Sequence, residues 1–322
     1  MQPSLLSVDA LTVDYPTASG TIRAVEKASF SMDYSEILGL VGESGSGKST
    51  LGLSLVRLTP PPGRIVAGSV HLKEIDILAL REQEMRGVRG SRISYVFQDP
   101  MMSLNPVMRV GDHFVELIRT HDPRISKEEA LQRARKVLSS IRIQPERVDD
   151  YPHQLSGGMR QRVMIGLAIT LNPSLVIADE PTTALDVIVQ SKILDLLQGL
   201  RDQFKMSLIL ITHDLSIVLE RCDRVAVMYA GQLVEYASAM ELGKDPKHPY
   251  TQGLIRSIPN IELKDQKLKA ITGSPPSMVD LPKGCHFWPR CPHVMKVCRE
   301  RDPVIVEVGK GHLVRCFLYG GE

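Results

Sequence analysis

Ile37-Leu38-Gly39-Leu40-Val41-Gly42-Glu43-Ser44-Gly45-Ser46-Gly47-Lys48-Ser49-Thr50 sets a short apolar run against a glycine-rich turn that ends in Lys-Ser. The turn, Gly42 to Ser49, fits G-x-x-x-x-G-K-[ST], and it stands after an apolar strand and before helical periodicity over residues 49–58. The glycines let backbone N–H groups turn inward around phosphates, and the helix starting near Lys48 adds its positive end. Lys48 supplies a point charge, Ser49 can ligate Mg²⁺ and Thr50 supports the helix start. The bland alternative is a Gly/Ser-rich strand-to-helix turn with no ligand; the complete pattern in its required context favours the phosphate loop.

Outward from this loop, further apolar runs at 93–97, 175–178, 208–212 and 224–228 read as buried strands, like 37–41. Helical periodicity separates several of them, at 127–141, 159–171 and 187–204. Alternating strands and helices predict an α/β core with a largely parallel sheet. The opening segment differs: 5–14, 23–32 and 68–72 look like strands without long helices between them, so an antiparallel sheet is expected beside the main core. Residues 101–168 are mostly helical and predict an inserted helical subdomain. A Pro- and Gly-containing stretch, 272–284, marks the approach to a cysteine-bearing tail.

Composition narrows the class. The 322 residues are 43% apolar and 24% charged, as in a soluble globular protein, and a net charge of +2 gives no electrostatic reason to expect nucleic acid. The uncharged-looking interval 163–178 contains Asn172 and Pro173 and falls short of the ~20 apolar residues of a spanning helix. Residues 1–9 lack the basic and apolar regions of a secretory signal, so the chain is expected to stay where it is made and to meet membranes through partners.

A metal-bound phosphate needs a second anchor at the end of another buried strand. Leu175-Val176-Ile177-Ala178-Asp179-Glu180 supplies it: Asp179 would orient the Mg²⁺ shell, and Glu180 could polarise an attacking water as general base. Adjacent acids after a strand are also often a solvated turn; the phosphate loop favours the functional reading. Leu155-Ser156-Gly157-Gly158 precedes a good helix, with Ser156 able to cap it and two glycines exposing its first amides, so it is either a plain cap or a second anion-binding start.

The ordered set over residues 5–237 resembles the ATP-binding-cassette (ABC) ATPase family, whose LSGG signature in one subunit closes on ATP held by the phosphate loop of the other. The resemblance implies an α/β P-loop core with an antiparallel β subdomain and inserted helical subdomain, hydrolysing MgATP by in-line attack of water. It implies that Gly42, Ser44, Gly45, Ser46, Gly47, Lys48, Ser49 and Thr50 bind ATP and that Tyr15 stacks on adenine. It further implies that Gln98 in Tyr95-Val96-Phe97-Gln98-Asp99-Pro100 senses Mg²⁺ beside Ser49 and Asp179. Glu180, Gln98 and the switch histidine His213 in Leu210-Ile211-Thr212-His213-Asp214 would form the catalytic set, with Leu155, Ser156, Gly157 and Gly158 as signature. Ala184, Leu185 and Asp186 correspond to the D-loop. Met159 stands where many members carry Gln, and Arg160-Gln161-Arg162 keeps the usual polar character.

Beyond the cassette (1–236), residues 237–322 resemble the C-terminal extension of oligopeptide/dipeptide importer ATPases of the DppD/OppD type, through His248-Pro249-Tyr250-Thr251, Gly273-Ser274-Pro275-Pro276 and four cysteines. Cys285, Cys291, Cys298 and Cys316 follow C-x₅-C-x₆-C-x₁₇-C, which matches neither zinc ribbons nor common ferredoxins. Four soft thiolates suit Zn²⁺ or a [4Fe–4S] cluster, and packed thiols without metal are the third reading; the resemblance favours the cluster that some members carry. It also implies a sister ATPase as heterodimer partner, with a homodimer as the alternative. Two membrane permeases, an extracytoplasmic substrate-binding protein and a place on the cytoplasmic membrane face complete the expected setting. Peptides are the expected cargo; nickel or oligosaccharides are alternatives in the same branch. A soluble ABC ATPase acting on nucleic acid or ribosomes fits less well, since there is one cassette without a basic stripe or tandem copy.

Overall fold

The computed structural model describes residues 4–99, 103–183, 185–258 and 271–320. The chain forms two compact units, one from the segment up to Leu78 together with Leu210 onward, the other from Ala79–Ile209.

In the first unit, strands β1 (Leu6–Thr17), β2 (Gly20–Met32), β4 (Arg64–Leu72) and β5 (Ile75–Asp76) form an antiparallel sheet in the order β2-β1-β4-β5. This is the expected antiparallel element. Strand β3 (Ile37–Val41) is buried at every position, as a strand covered on both faces must be, and pairs in parallel with β9 (Arg224–Tyr229). β10 (Gln232–Ser238) returns antiparallel to β9, and β12 (His312–Val314), hairpinned to β11 (Val306–Gly309), adds antiparallel to β10. The sequence patterning did not disclose β10. Its buried Gln232 and Glu235 break the apolar run that would have marked it. The helix after the phosphate loop, α1 (Lys48–Leu55), is shorter than the expected 49–58, because Arg57 turns into the left-handed region at φ 53°.

In the second unit, β6 (Ile93–Val96) and β7 (Leu175–Asp179) pair in parallel. Helix α2 (Glu82–Val88) leads into β6, and helices α3 (Val110–His121), α4 (Lys127–Ser140) and α5 (Gly157–Ile169) occupy the region of the expected helical insert, with short 3₁₀ turns at Pro145–Asp149 and Pro152–Gln154. Helices α3 and α4 each bury one stripe: Ala130, Ala134 and Leu138 recur every four residues in α4, and Val115, Ile118, Ile125 and Ala130 form a small core with Leu131 and Leu171. Ser126 starts α4 by accepting the Glu129 N–H at 3.1 Å. The long helix α6 (Val187–Phe204) has the limits its periodicity predicts, and the boundary with the first unit falls within β8 (Ser207–Thr212). Among the described residues no helix is long and apolar enough to cross a membrane.

Candidate nucleotide site

The phosphate loop is assembled by local rules. β3 delivers the chain buried, and Gly47 at φ 101° makes the reversal into α1 that a side chain would strain. The Gly47 carbonyl then accepts the first helical bond, from Leu51 N–H at 2.9 Å. Lys48 is 4% exposed, and its Nζ donates to the carbonyls of Gly42 and Glu43, both at 2.9 Å. The ammonium is thus held across the mouth of the loop. Ser46 Oγ is buried and has no hydrogen-bond partner within the protein, which is what a group reserved for an anion leaves behind. Loop residues Glu43, Ser44, Gly45 and Ser46 line a cavity of about 110 Å³ together with Tyr229, Ala230, Pro275, Pro276 and Met278. In the same unit, Tyr15 lies part-buried on β1, opposite Ile22. His213 is exposed just past β8, followed by Asp214, whose carboxylate caps Leu215–Arg221 by accepting Ser216 N–H at 2.9 Å.

The acidic pair stands at the end of β7 in the second unit. Asp179 is 5% exposed and accepts a hydrogen bond from Tyr95 Oη at 2.7 Å. Burial, reinforced by the Asp179 carboxylate, holds the Tyr95 phenol far above its ordinary pKa, so it stays a donor. Glu180 adopts φ 43°, a strained position for a non-glycine residue. That turn aims its carboxylate at two donors: Gln98 Nε2 at 3.1 Å and Thr183 Oγ1 at 2.8 Å. Gln98 and Glu180, far apart in sequence, are therefore brought together.

The signature and D-loop also meet within this unit. Ser156 Oγ caps α5 by accepting Met159 N–H at 3.3 Å, and Asp186 caps α6 by accepting Val189 N–H at 2.9 Å. A cavity of about 330 Å³ is lined by Ser156, Gly157, Gly158, Met159, Arg162, Leu185, Asp186 and Val189. A Cβ on Gly158 would lie 2.9 Å from Val189 Cγ1, so a larger residue here would require a shift. Leu155, 3% exposed, anchors the motif, and its carbonyl accepts from Arg160 Nη1 at 2.6 Å. Ala184, the first D-loop residue, lies outside the described residues.

Sequence reasoning missed Tyr95 and Thr183. Tyr95 read as part of an apolar strand; its partner arises from register, since pairing Tyr95 with Ile177, two residues before Asp179, puts both side chains on one face of the sheet, and no stretch of sequence shows that register. Thr183 lies between the acidic pair and the Ala184-Leu185-Asp186 segment, at a position the sequence reading gave no role.

The four clustered cysteines are all unbridged. Burial pushes the Cys285 thiol up to about 12 and the Cys316 thiol up to about 11, with the neighbouring thiols adding to each shift. Backbone N–H groups point at each sulfur: Phe287 at Cys285, His293 at Cys291 (3.4 Å), Met295 at Cys298 (3.5 Å) and Leu318 at Cys316. Among the described residues, however, no group of three or more His, Cys, Asp or Glu side chains is drawn close enough to hold a metal ion. The structure therefore does not support the expected [4Fe–4S] cluster: the four thiols are not gathered into a ligand set.

A strand–phosphate-loop–helix unit, an Asp-Glu pair after a second buried strand, and a capped LSGG helix facing a D-loop define an ATP-binding cassette ATPase. The family model described as ABC transporter matches residues 25–183, and the model described as oligopeptide/dipeptide transporter, C-terminal region, matches 234–298. The chain is 45% identical to the oligopeptide transport ATP-binding protein OppD of Escherichia coli (strain K12), over 98% of this chain and 93% of that protein. It is 43% identical to the dipeptide transport ATP-binding protein DppD of Caldanaerobacter subterraneus subsp. tengcongensis, over 98% and 97% of the two chains. Among solved structures it is similar to the ATP-binding cassette MJ0796, a dimer in a post-hydrolysis state bound to ADP and Pi. That similarity has a TM-score of 0.65 and 27% identity, covering 73% of this chain and 98% of the other. The chain belongs to the ATP-binding proteins of the oligopeptide/dipeptide branch of ABC transporters, and it couples ATP hydrolysis to transport.

Proposed function

We propose that this chain drives uptake of di- and oligopeptides by hydrolysing MgATP on the cytoplasmic face of the membrane. It would work with two permease subunits, an extracytoplasmic substrate-binding protein and a second cassette, a sister ATPase by preference. The cargo reading rests on the 43–45% identity to peptide-transport ATP-binding proteins over nearly the whole chain.

The observation that carries the chemistry is the convergence of Gln98 and Thr183 on the Glu180 carboxylate beside buried Asp179. ATP phosphates lie along the N–H groups of Gly42 to Thr50, with Lys48 against the terminal phosphates and Ser46 Oγ given its missing partner. Mg²⁺ would be held by Ser49 and Asp179 with Gln98, and supplies charge neutralisation when bound. Glu180 accepts a proton from water as its oxygen attacks the γ-phosphorus; the bond to the ADP oxygen breaks, and ADP and phosphate leave. His213 orients that water through the γ-phosphate, and Tyr15 stacks on adenine. Leu155 to Gly158 close on the ATP of the partner cassette, so each hydrolysis site is completed by the other chain.

Glu180→Gln is the test: ATP binding is expected to persist while hydrolysis falls by roughly 10²–10⁴-fold, the usual contribution of a general base. Undiminished turnover would sink the assignment. We also infer that Cys285, Cys291, Cys298 and Cys316 hold a [4Fe–4S] cluster, a reading supported by four soft donors with an N–H aimed at each sulfur. Anaerobic purification should yield about four irons and four sulfides per chain, lost in Cys291→Ser. Stoichiometric zinc, or no metal in a folded protein, would refute it.

A further inference from the structure

The phosphate loop is gripped by residues that no nucleotide motif contains. Arg290 makes a two-pronged bond to Glu43, the second residue of the loop, with Nη1 to Oε2 at 2.7 Å and Nη2 to Oε1 at 3.0 Å. Its side chain is only 6% exposed, and its remaining donors are also used: Nη1 reaches Tyr229 Oη at 3.3 Å and Nε reaches the Thr272 carbonyl at 3.2 Å. Tyr250 Oη accepts the Glu43 backbone N–H at 2.9 Å. Tyr229, Tyr250 and Phe287 pack on one another with centroids 4.6–5.5 Å apart, so neither hydroxyl can drift.

Glu43 passes this restraint on. Its carbonyl accepts Lys48 Nζ at 2.9 Å and the Ser46 N–H at 3.2 Å. Fixing the side chain and N–H of Glu43 therefore fixes the carbonyl that positions the phosphate-binding ammonium and the turn bearing the unpartnered Ser46 hydroxyl. A planar guanidinium in a bidentate pair imposes orientation as well as charge, which a lysine would not. Arg290 itself sits on the 3₁₀ turn Trp288–Arg290 between Cys285 and Cys291, with its N–H bonded to the Phe287 carbonyl at 3.0 Å.

We propose that Arg290 and Tyr250 are positioning residues for ATP binding, so that the C-terminal segment is a working part of the nucleotide site. The proposal rests on the phosphate-loop reading and deepens it. The test uses the full purified chain with fluorescent-ATP titration, steady-state kinetics and nucleotide-free melting for Arg290→Lys, Arg290→Ala, Glu43→Gln, Tyr250→Phe and the Arg290→Ala/Glu43→Gln double variant. If release lets the loop stand ready only a tenth to a third of the time, Kd and KM for MgATP rise about 3–10-fold, with kcat within about twofold. The double variant should bind no worse than the weaker single. Lower melting points with unchanged KM would make the pair a mere staple and overturn the proposal, as would additive effects in the double variant. Should Arg290→Ala fail to fold, Arg290→Lys and Glu43→Gln carry the same comparison. Lys48→Ala separates the two readings: if it leaves nucleotide affinity intact, the phosphate-loop assignment itself is wrong, whereas lost affinity there with wild-type affinity in every Arg290 variant refutes only the clamp.

Discussion

Removing the Tyr95 hydroxyl tests whether Asp179 is held as its surroundings imply. Tyr95→Phe keeps the ring, which packs on Phe97 with centroids 4.9 Å apart, and deletes only the 2.7 Å donor to Asp179 Oδ2. Asp179 is 5% exposed, so water cannot freely replace that donor. A hydrogen bond to a charged group contributes about 1.5–3 kcal/mol, and the lower part of the range suits a carboxylate that keeps other partners. For a loss of about 2 kcal/mol the melting midpoint of the nucleotide-free protein should fall by roughly 4–8 °C. The same carboxylate is proposed to orient Mg²⁺; if about 0.7–1.4 kcal/mol of that loss falls on the metal site, the Mg²⁺ concentration for half-maximal hydrolysis should rise about 3–10-fold, since 1.4 kcal/mol corresponds to a factor of ten. Calorimetry and Mg²⁺ titration measure the two arms. A variant that melts within a degree of the parent with unaltered Mg²⁺ dependence would refute the reasoning, because the Tyr95–Asp179 bond would then be doing nothing that the remaining partners cannot do.

Gly158→Ala places a methyl 2.9 Å from Val189 Cγ1, a branched side chain with little room to turn, and should cut hydrolysis several-fold; Val189→Ala in the same chain should restore it, as turnover assays would show. His248 is buried, and burial lowers its pKa to about 4, despite the opposing pull of the Glu235 carboxylate. The folded chain therefore keeps His248 neutral while the unfolded chain takes up a proton below about 6.5. Its contribution is complete above pH 6.5 and shrinks by up to about 3 kcal/mol as pH falls toward 4; denaturant titrations of the parent and His248→Gln should differ in slope over that window and nowhere above it. Cys291→Ser should raise proteolytic sensitivity around residues 285–300 while the amides of β12 stay protected against hydrogen exchange, since β12 is held by pairing with β10; simultaneous loss of both would contradict that separation.

Local patterns were the legible part of this chain. Residues 37–41 and 187–204 have the limits their apolar spacing predicts, and the phosphate loop, the Asp179-Glu180 pair and the LSGG cap are each encoded in consecutive residues. What was not legible depends on residues meeting across the chain. β10 escaped notice because Gln232 is satisfied by Glu26 and Asp302 at 3.0 and 2.9 Å, and Glu235 by His312 at 2.7 Å. Those partners make polar residues affordable inside a sheet, and no window of sequence contains them. Tyr250 lay in a quoted segment, and Arg290 beside a quoted cysteine, yet neither residue type hints at a loop some two hundred positions earlier.

The C-terminal segment shows why such long-range pairs matter. Much of the anchoring of the cysteine-bearing tail comes from side chains other than its thiols. Val314 is fully buried on β12, and Phe287 at 3% exposure closes the aromatic cluster beside Tyr229 and Tyr250. His312 reaches the buried Glu235 carboxylate, which also accepts the N–H groups of Lys247 and His248 at 2.6 and 2.9 Å. Arg315 bonds Asp302 at 3.0 Å. These contacts tie both ends of the cysteine-bearing stretch to the sheet that carries the phosphate loop, leaving the thiols to order only the turns between Cys285 and Cys298. Those turns include Arg290. A ligand closing on the thiols would therefore act less on whether the tail folds than on how firmly Arg290 is presented to Glu43, which places Cys291 one residue away from the nucleotide site's own restraint.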